Sequence, residues 1–149
     1  MEVGQAHWSI ESLDWEIEQS PECASFISPN GSGALQISCF RKKQGIVDER
    51  DIAWFREEAL RDSGVEPKRG TFGEFDGLMV SHEVDGRFWR RWWLWHDATN
   101  LFVTYNCESS EMSREILLAE RLMASLRACA AQQRVAPDKG RGGAADASR

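Results

Sequence analysis

The chain has 149 residues, of which 42% are hydrophobic and 28% are charged, a composition typical of one folded globular domain. Its formal net charge is −6, and because the residues after Cys129 are net basic, the preceding part is more acidic still. This acidity disfavours a nucleic-acid partner, and the lack of any apolar run near ~20 residues disfavours a membrane span.

The N-terminus and the cysteines both indicate a cytoplasmic protein. Residues 1–5 lack the basic start and the apolar segment of a signal peptide. The four cysteines are scattered, with no C-x-x-C pair and no histidine at zinc-ligand spacing. We therefore expect reduced thiols, no metal and no cofactor.

Strands are predicted first in chain order, between Trp8 and Phe40. Trp15 and Ile17 alternate with glutamates, which is typical of a half-buried strand. The turn-forming residues 29–33 separate two further apolar runs and predict a hairpin.

A helix is predicted next, because Asp48 is a good N-cap and Gly64 can end the helix in a left-handed conformation. Its apolar stripe consists of Ile52, Phe55 and Ala59. A second predicted helix begins near Ser110. Its stripe consists of Met112, Ile116, Ala119, Met123 and Leu126.

Three strands are predicted between the helices, from about Thr71 to Cys107. Asp85-Gly86 is typical of a two-residue type I′ hairpin turn, and residues 96–100 predict a second, longer reversal. Together these elements predict an α+β fold in which a single antiparallel sheet of about six strands packs against two main helices. The domain is predicted to span residues 1–130. Residues 131–149 are small, polar and aperiodic, and predict a disordered tail.

The hairpin at Asp85-Gly86 sets a register and therefore two sheet faces. One face is nearly all apolar, with Trp93 and Trp95 beside Leu101 and Val103. We expect both helices to pack against this face. The other face mixes aromatic anchors with polar groups, as the centre of a protein interface does. The predicted partner-binding residues are those of this mixed face: Met79, Glu83, Phe88, Arg90, Trp92, Leu94 and Phe102. In the alternative interpretation the mixed face is covered, and Arg90 pairs with Glu83.

No catalytic centre is predicted, because the three histidines are too few and too scattered for a convincing site. The alternative is a small-molecule-binding domain or an enzyme, with a pocket near His82, Trp89 and Arg91. An arginine at an inward strand position favours this alternative, because a buried charge is costly without a partner.

Several packing motifs resemble those of small bacterial proteins of the PsbP-like α/β/α superfamily. The motifs are an opening Trp strand, Gly33 to Ser38, a helix from Asp48, Gly70-x-Phe72, Leu101 to Tyr105, and a terminal helix closing on Ala124 to Leu126. The resemblance implies a largely non-enzymatic fold, whose members include extrinsic subunits, chaperones of secretion-system effectors, and immunity proteins to bacterial toxins. It implies no catalytic residue.

The leading hypothesis is a non-enzymatic protein-binding module. Its most concrete form is a cytoplasmic immunity protein that neutralises a bacterial toxin, or a binder of a secretion effector. An acidic surface would steer a basic partner toward it. A structural homodimer is a further alternative.

Overall fold

The fold is given by a computed structural model that describes residues 1–129. The predicted tail, residues 131–149, lies outside the described residues. The elements in chain order are β1 (Glu2–Gln5), β2 (Trp8–Glu11), β3 (Glu16–Gln19), β4 (Cys23–Ile27), β5 (Ala34–Arg41), α1 (Glu49–Ser63), β6 (Lys68–Phe72), β7 (Phe75–Val84), β8 (Arg87–His96), β9 (Thr99–Glu108), α2 (Met112–Ala124) and β10 (Arg127–Ala128). No helix among these residues is long and apolar enough to cross a membrane.

The strands form two antiparallel sheets. The larger has seven strands in the order β3-β4-β5-β9-β8-β7-β6, and the smaller has the order β1-β2-β10. The α+β class is therefore confirmed, whereas the expectation of a single sheet of about six strands is wrong. The small sheet escaped prediction because β1 buries only Val3 and β10 has two residues, so neither carries a readable alternation.

Helix α1 begins and ends where its sequence predicts. The Asp48 side chain accepts hydrogen bonds from the backbone N–H groups of Arg50 and Asp51, and the Asp51 side chain accepts one from the Asp48 backbone N–H. Such a capping box satisfies donors that the first turn leaves unpaired. Gly64 ends the helix with φ 71°, a left-handed conformation that glycine adopts without steric cost. The predicted stripe is the buried face of α1.

The two hairpins of the Trp-rich region differ in how well they were predicted. Asp85 and Gly86 have φ values of 53° and 78° and join β7 to β8 with Val84 opposite Arg87, as predicted. The next reversal has only two residues between His96 and Thr99, rather than the expected five. The shorter turn changes the β8–β9 register by one residue from the predicted register. Every side chain of β9 therefore lies on the opposite face from the one predicted.

The corrected register separates two cores on the two sides of the large sheet. Trp92 lies opposite Val103 and packs in the main core, which α2 and the small sheet cover. Trp93 lies opposite Phe102 and packs in a smaller core under α1. The expectation that both helices share one face is therefore wrong, because α1 and α2 lie on opposite sides of the sheet.

A buried carboxylate fastens α2 to the loop before β5. Glu115 is fully buried and accepts hydrogen bonds from Ser28 Oγ at 3.0 Å and Tyr105 Oη at 3.2 Å. A Cβ atom on Gly33 would lie 2.2 Å from the Glu115 carboxylate, so only glycine fits there. The two hydrogen bonds from Ser28 and Tyr105 compensate the desolvation of the Glu115 carboxylate.

Candidate functional site

The residues predicted to bind a partner do not form an exposed surface. Phe88, Trp92 and Leu94 are 6%, 1% and 0% exposed, in the core beneath α2 and the small sheet. Met79 packs partly buried against the same core. The mixed face is therefore covered, as in the alternative interpretation, and these side chains are not available for docking.

The polar members of that predicted set also lie elsewhere than expected. Arg90 donates to Ser81 Oγ at 2.8 Å and forms an ion pair with Glu120 of α2 at 2.9 Å. It therefore links the sheet to α2 rather than pairing with Glu83, which is exposed near the hairpin tip. Phe102 lies on the opposite face, beside α1.

The three residues of the alternative pocket do lie together. The Arg91 guanidinium stacks 4.9 Å from the centre of the Trp89 ring, and its Nη1 lies 3.4 Å from His82 Nε2. Burial, and to a smaller extent the charge of Arg91, lower the pKa of His82. The neutral imidazole can accept from Arg91 through Nε2, and its proton is then on Nδ1. That atom is buried without a hydrogen-bond partner among the described residues.

Helix α1 covers only part of its side of the large sheet. It packs on Leu78, Val80, Trp93 and Trp95, which belong to β7 and β8. The rest of that side, which we call the open face, is half-buried or exposed. It consists of Ala34, Gln36, Ser38, Trp89, Arg91, Thr104 and Asn106. The open face is rich in hydroxyl and amide groups.

A groove of about 540 Å³ runs where α1 meets this side of the sheet. Phe40 from β5 and Trp54 from α1 both line it, and each is 55% exposed. Phe102 and Trp93 are also among its lining residues. The groove therefore joins two large exposed aromatic side chains to the half-buried Phe102.

The helix wall of the groove is acidic. Asp51, Glu58 and Asp62 of α1 line it, and Glu58 accepts a hydrogen bond from Trp93 Nε1 at 3.2 Å. Lys42 on the other side pairs with Asp51 at 2.8 Å. That hydrogen bond raises the pKa of Lys42 and lowers the pKa of Asp51, so both groups stay charged at neutral pH.

Sequence reasoning missed both exposed aromatics. Trp54 lies off the stripe formed by Ile52, Phe55 and Ala59, and a tryptophan on the polar side of a helix was the available signal. Phe40 ends an apolar run, and nothing in that run distinguishes it from a core residue.

Comparison with known proteins adds information on the fold only. No family model matches the chain, and no curated protein matches it. A crystal structure of a protein from Bacteroides thetaiotaomicron VPI-5482 is similar, with a TM-score of 0.58 and 17% sequence identity. The similarity covers 81% of this chain but 44% of that one, so this chain spans less than half of its neighbour's length. The likeness is one of fold.

Within residues 1–129, no group of three or more His, Cys, Asp or Glu residues could hold a metal ion. The four cysteines are unpaired. Burial raises the pKa of the Cys39 thiol to about 11, so this thiol is protonated at neutral pH and is a poor nucleophile. The groove and the open face are therefore the features best suited to recognition.

Proposed function

We propose that this protein is a non-enzymatic protein-binding module whose docking site is the groove between α1 and the large sheet. The observation that carries the proposal is the pair Phe40 and Trp54, each 55% exposed on one groove. Aromatic side chains in a concave site are the usual anchors of protein interfaces. Exposing two of them in one groove leaves apolar surface in water, and a partner that covers them gains the free energy of burying it.

The partner we propose is a basic protein, most concretely a bacterial toxin or a secretion-system effector that this chain neutralises or accompanies in the cytoplasm. The support is charge: the net charge is −6, and three acidic residues (Asp51, Glu58, Asp62) line the groove against two basic ones (Arg41, Lys42). Such a surface attracts a cationic partner and repels a second copy of the chain. We also propose membership of the PsbP-like superfamily, for which the packing motifs are the support.

The experiment uses the full-length chain and two alanine variants. Trp54→Ala removes an anchor in the groove, and Leu117→Ala removes an apolar side chain of α2 that is 63% exposed and lies outside the groove lining. The wild-type protein is used to capture proteins from its source organism. The captured protein is identified by mass spectrometry and purified, and its dissociation constant is then measured by calorimetry.

We expect Trp54→Ala to weaken binding by roughly thirtyfold or more, because an interface anchor contributes about 2 kcal/mol or more. Leu117→Ala should bind like the wild type. For the immunity role, the captured protein should arrest growth when expressed alone, and co-expression of this chain should restore growth.

Three outcomes contradict the proposal. In the first, every protein captured by the wild type is also captured by Trp54→Ala. In the second, the purified partner binds Trp54→Ala as tightly as it binds Leu117→Ala. A third outcome is a wild-type dimer in sedimentation that Trp54→Ala dissociates, which would make the groove a homodimer interface.

A further inference from the structure

We propose that Arg91 binds an aspartate or glutamate side chain of the partner segment held in the groove. This inference rests on the proposed function and names the chemistry that the groove would recognise at its sheet end. The ligand is a carboxylate on an extended peptide segment, and Arg91 is the residue that specifies it.

The first support is that Arg91 is a half-buried cation without an acidic partner. Within residues 1–129, other arginines form ion pairs with glutamates, for example Arg56 with Glu66 and Arg90 with Glu120. The polar group beside Arg91 is the imidazole of His82, which is neutral. A half-buried guanidinium whose remaining donors lack a strong acceptor binds a carboxylate well, because the resulting hydrogen bonds are charge-assisted.

The second support is the preorganisation of the guanidinium. It stacks 4.9 Å from the centre of the Trp89 ring, and His82 accepts from one of its nitrogens. These contacts restrict the rotamers of a long side chain before the ligand arrives. Less conformational entropy is then lost on binding.

The third support is the location of Arg91 beside the groove. Trp93, which lines the groove, is two residues further along β8, so Arg91 is about 6.7 Å from it along the strand. Thr104 lies opposite Arg91 on β9, and Gln36 lies opposite Thr104 on β5. A peptide whose apolar side chain contacts Trp54 can therefore extend over this polar row and bring a carboxylate to Arg91.

The charges of the two ends are complementary to one kind of segment. The helix wall carries Asp62 and Glu58, whereas the sheet end carries Arg91. A segment with a basic end, an apolar centre and an acidic residue matches this order. A basic partner overall and a local carboxylate are therefore compatible.

The test uses short random peptides displayed on phage and selected on the immobilised full-length protein. A selected peptide is synthesised with its acidic residue and again with glutamine or asparagine in that place. Dissociation constants of both peptides are measured by fluorescence anisotropy for the wild type and for Arg91→Gln, Trp54→Ala and Arg121→Gln. Arg121 is exposed on α2 and serves as the matched control. Thermal melts establish that each variant is folded.

We expect selected peptides to share an aspartate or glutamate. Arg91→Gln should weaken binding of the acidic peptide by roughly tenfold to a hundredfold, as expected for the loss of a hydrogen bond to a charged group. The affinity for the neutral peptide should not change, so that Arg91→Gln binds the two peptides equally tightly. Arg121→Gln should bind both peptides as the wild type does. If Arg91→Gln does not fold, Arg91→Lys replaces it, since lysine keeps the charge but loses the planar fork, and a smaller selective loss is expected.

The inference is overturned if selected peptides carry no shared acidic residue, or if wild type binds the neutral peptide as tightly as the acidic one. If Trp54→Ala no longer binds the acidic peptide while Arg91→Gln binds it as the wild type does, the role of Arg91 is overturned and the proposed groove is not. Selection of no peptide, or of peptides that both variants bind normally, overturns the groove itself and with it the proposed function.

Discussion

The contact between Gly33 and Glu115 predicts a strong energetic coupling between a loop and a helix. Gly33→Ala would place a methyl group 2.2 Å from the Glu115 carboxylate and 2.6 Å from Tyr105 Oη. Gly33 has no left-handed backbone conformation, so the cost is steric rather than conformational. Overpacking of this kind costs about 1–3 kcal/mol of unfolding free energy.

The single change Glu115→Ala should itself cost about 1–3 kcal/mol for each buried hydroxyl group that loses its acceptor, because the buried charge is removed and only neutral partners stay in the interior. It leaves the buried hydroxyl groups of Ser28 and Tyr105 without their acceptor. It also removes the Glu115 carboxylate, which holds the atom nearest to the methyl group that Gly33→Ala adds. In the double variant the added methyl group no longer meets the carboxylate, although it still lies 2.6 Å from Tyr105 Oη, so part of its steric cost is relieved and the two costs should not add.

The assay is urea unfolding of the wild type, both single variants and the double variant. The double variant should be more stable than the sum of the two single costs implies, by about 0.5–3 kcal/mol, which is the range of coupling between residues in contact. Additivity within about 0.5 kcal/mol is normal for independent sites, and such a result would refute the steric contact between Gly33 and Glu115.

Three further predictions concern packing and pH. Leu126→Ala should cost ~2–5 kcal/mol in urea unfolding, because Leu126 is 1% exposed in the main core, and a cost under ~0.5 kcal/mol would place it on the surface. Trp92→Ala should cost ~3–5 kcal/mol, whereas Trp54→Ala, at a side chain that is 55% exposed, should cost clearly less; equal costs would contradict the two burial states. Because burial lowers the folded-state pKa of His82, stability is lost as pH falls below the unfolded value of about 6.5. The urea midpoint should therefore fall less between about pH 7 and pH 5 in His82→Gln than in the wild type or in His96→Gln, and parallel curves would contradict this.

Local rules were sufficient for elements with strong end signals. Asp48 and Gly64 defined α1, because an N-cap and a left-handed glycine act within one turn of the chain. Asp85-Gly86 defined the β7–β8 register for the same reason, since few residues other than glycine and asparagine or aspartate adopt that turn.

Two features separate the predicted binding face from the structure: α2 and the small sheet cover it, and the turn between β8 and β9 is three residues shorter than predicted. Asp97 adopts φ 53° in a two-residue turn, although the sequence there, His96-Asp97-Ala98-Thr99, lacks the glycine that marks such turns. The strand after it therefore turned its other side to the main core. Phe102 lies on the α1 side of the sheet, and Val103 lies beside Trp92, where Phe102 was predicted.

Long-range contacts account for the remaining differences. Glu115 was not predicted to be buried, because the hydroxyl groups that stabilise its charge come from Ser28 and Tyr105 in distant strands and loops. The exposure of Phe40 and Trp54 depends on how far α1 extends over the sheet, and no local pattern encodes that distance. A site assembled from separate elements is therefore harder to predict than the elements themselves.

The division of the interior into two unequal cores has a consequence for the motions of α1. This helix is held by the smaller core, through Ile52, Phe55 and Ala59 against the sheet, whereas the sheet itself is supported from behind by the larger core. Cooperative units with less buried apolar area open at lower free energy. Amide hydrogens of α1 should therefore exchange with deuterium sooner than those of β8 and β9. One wall of the groove would then adapt to the shape of an incoming ligand while the other keeps its form.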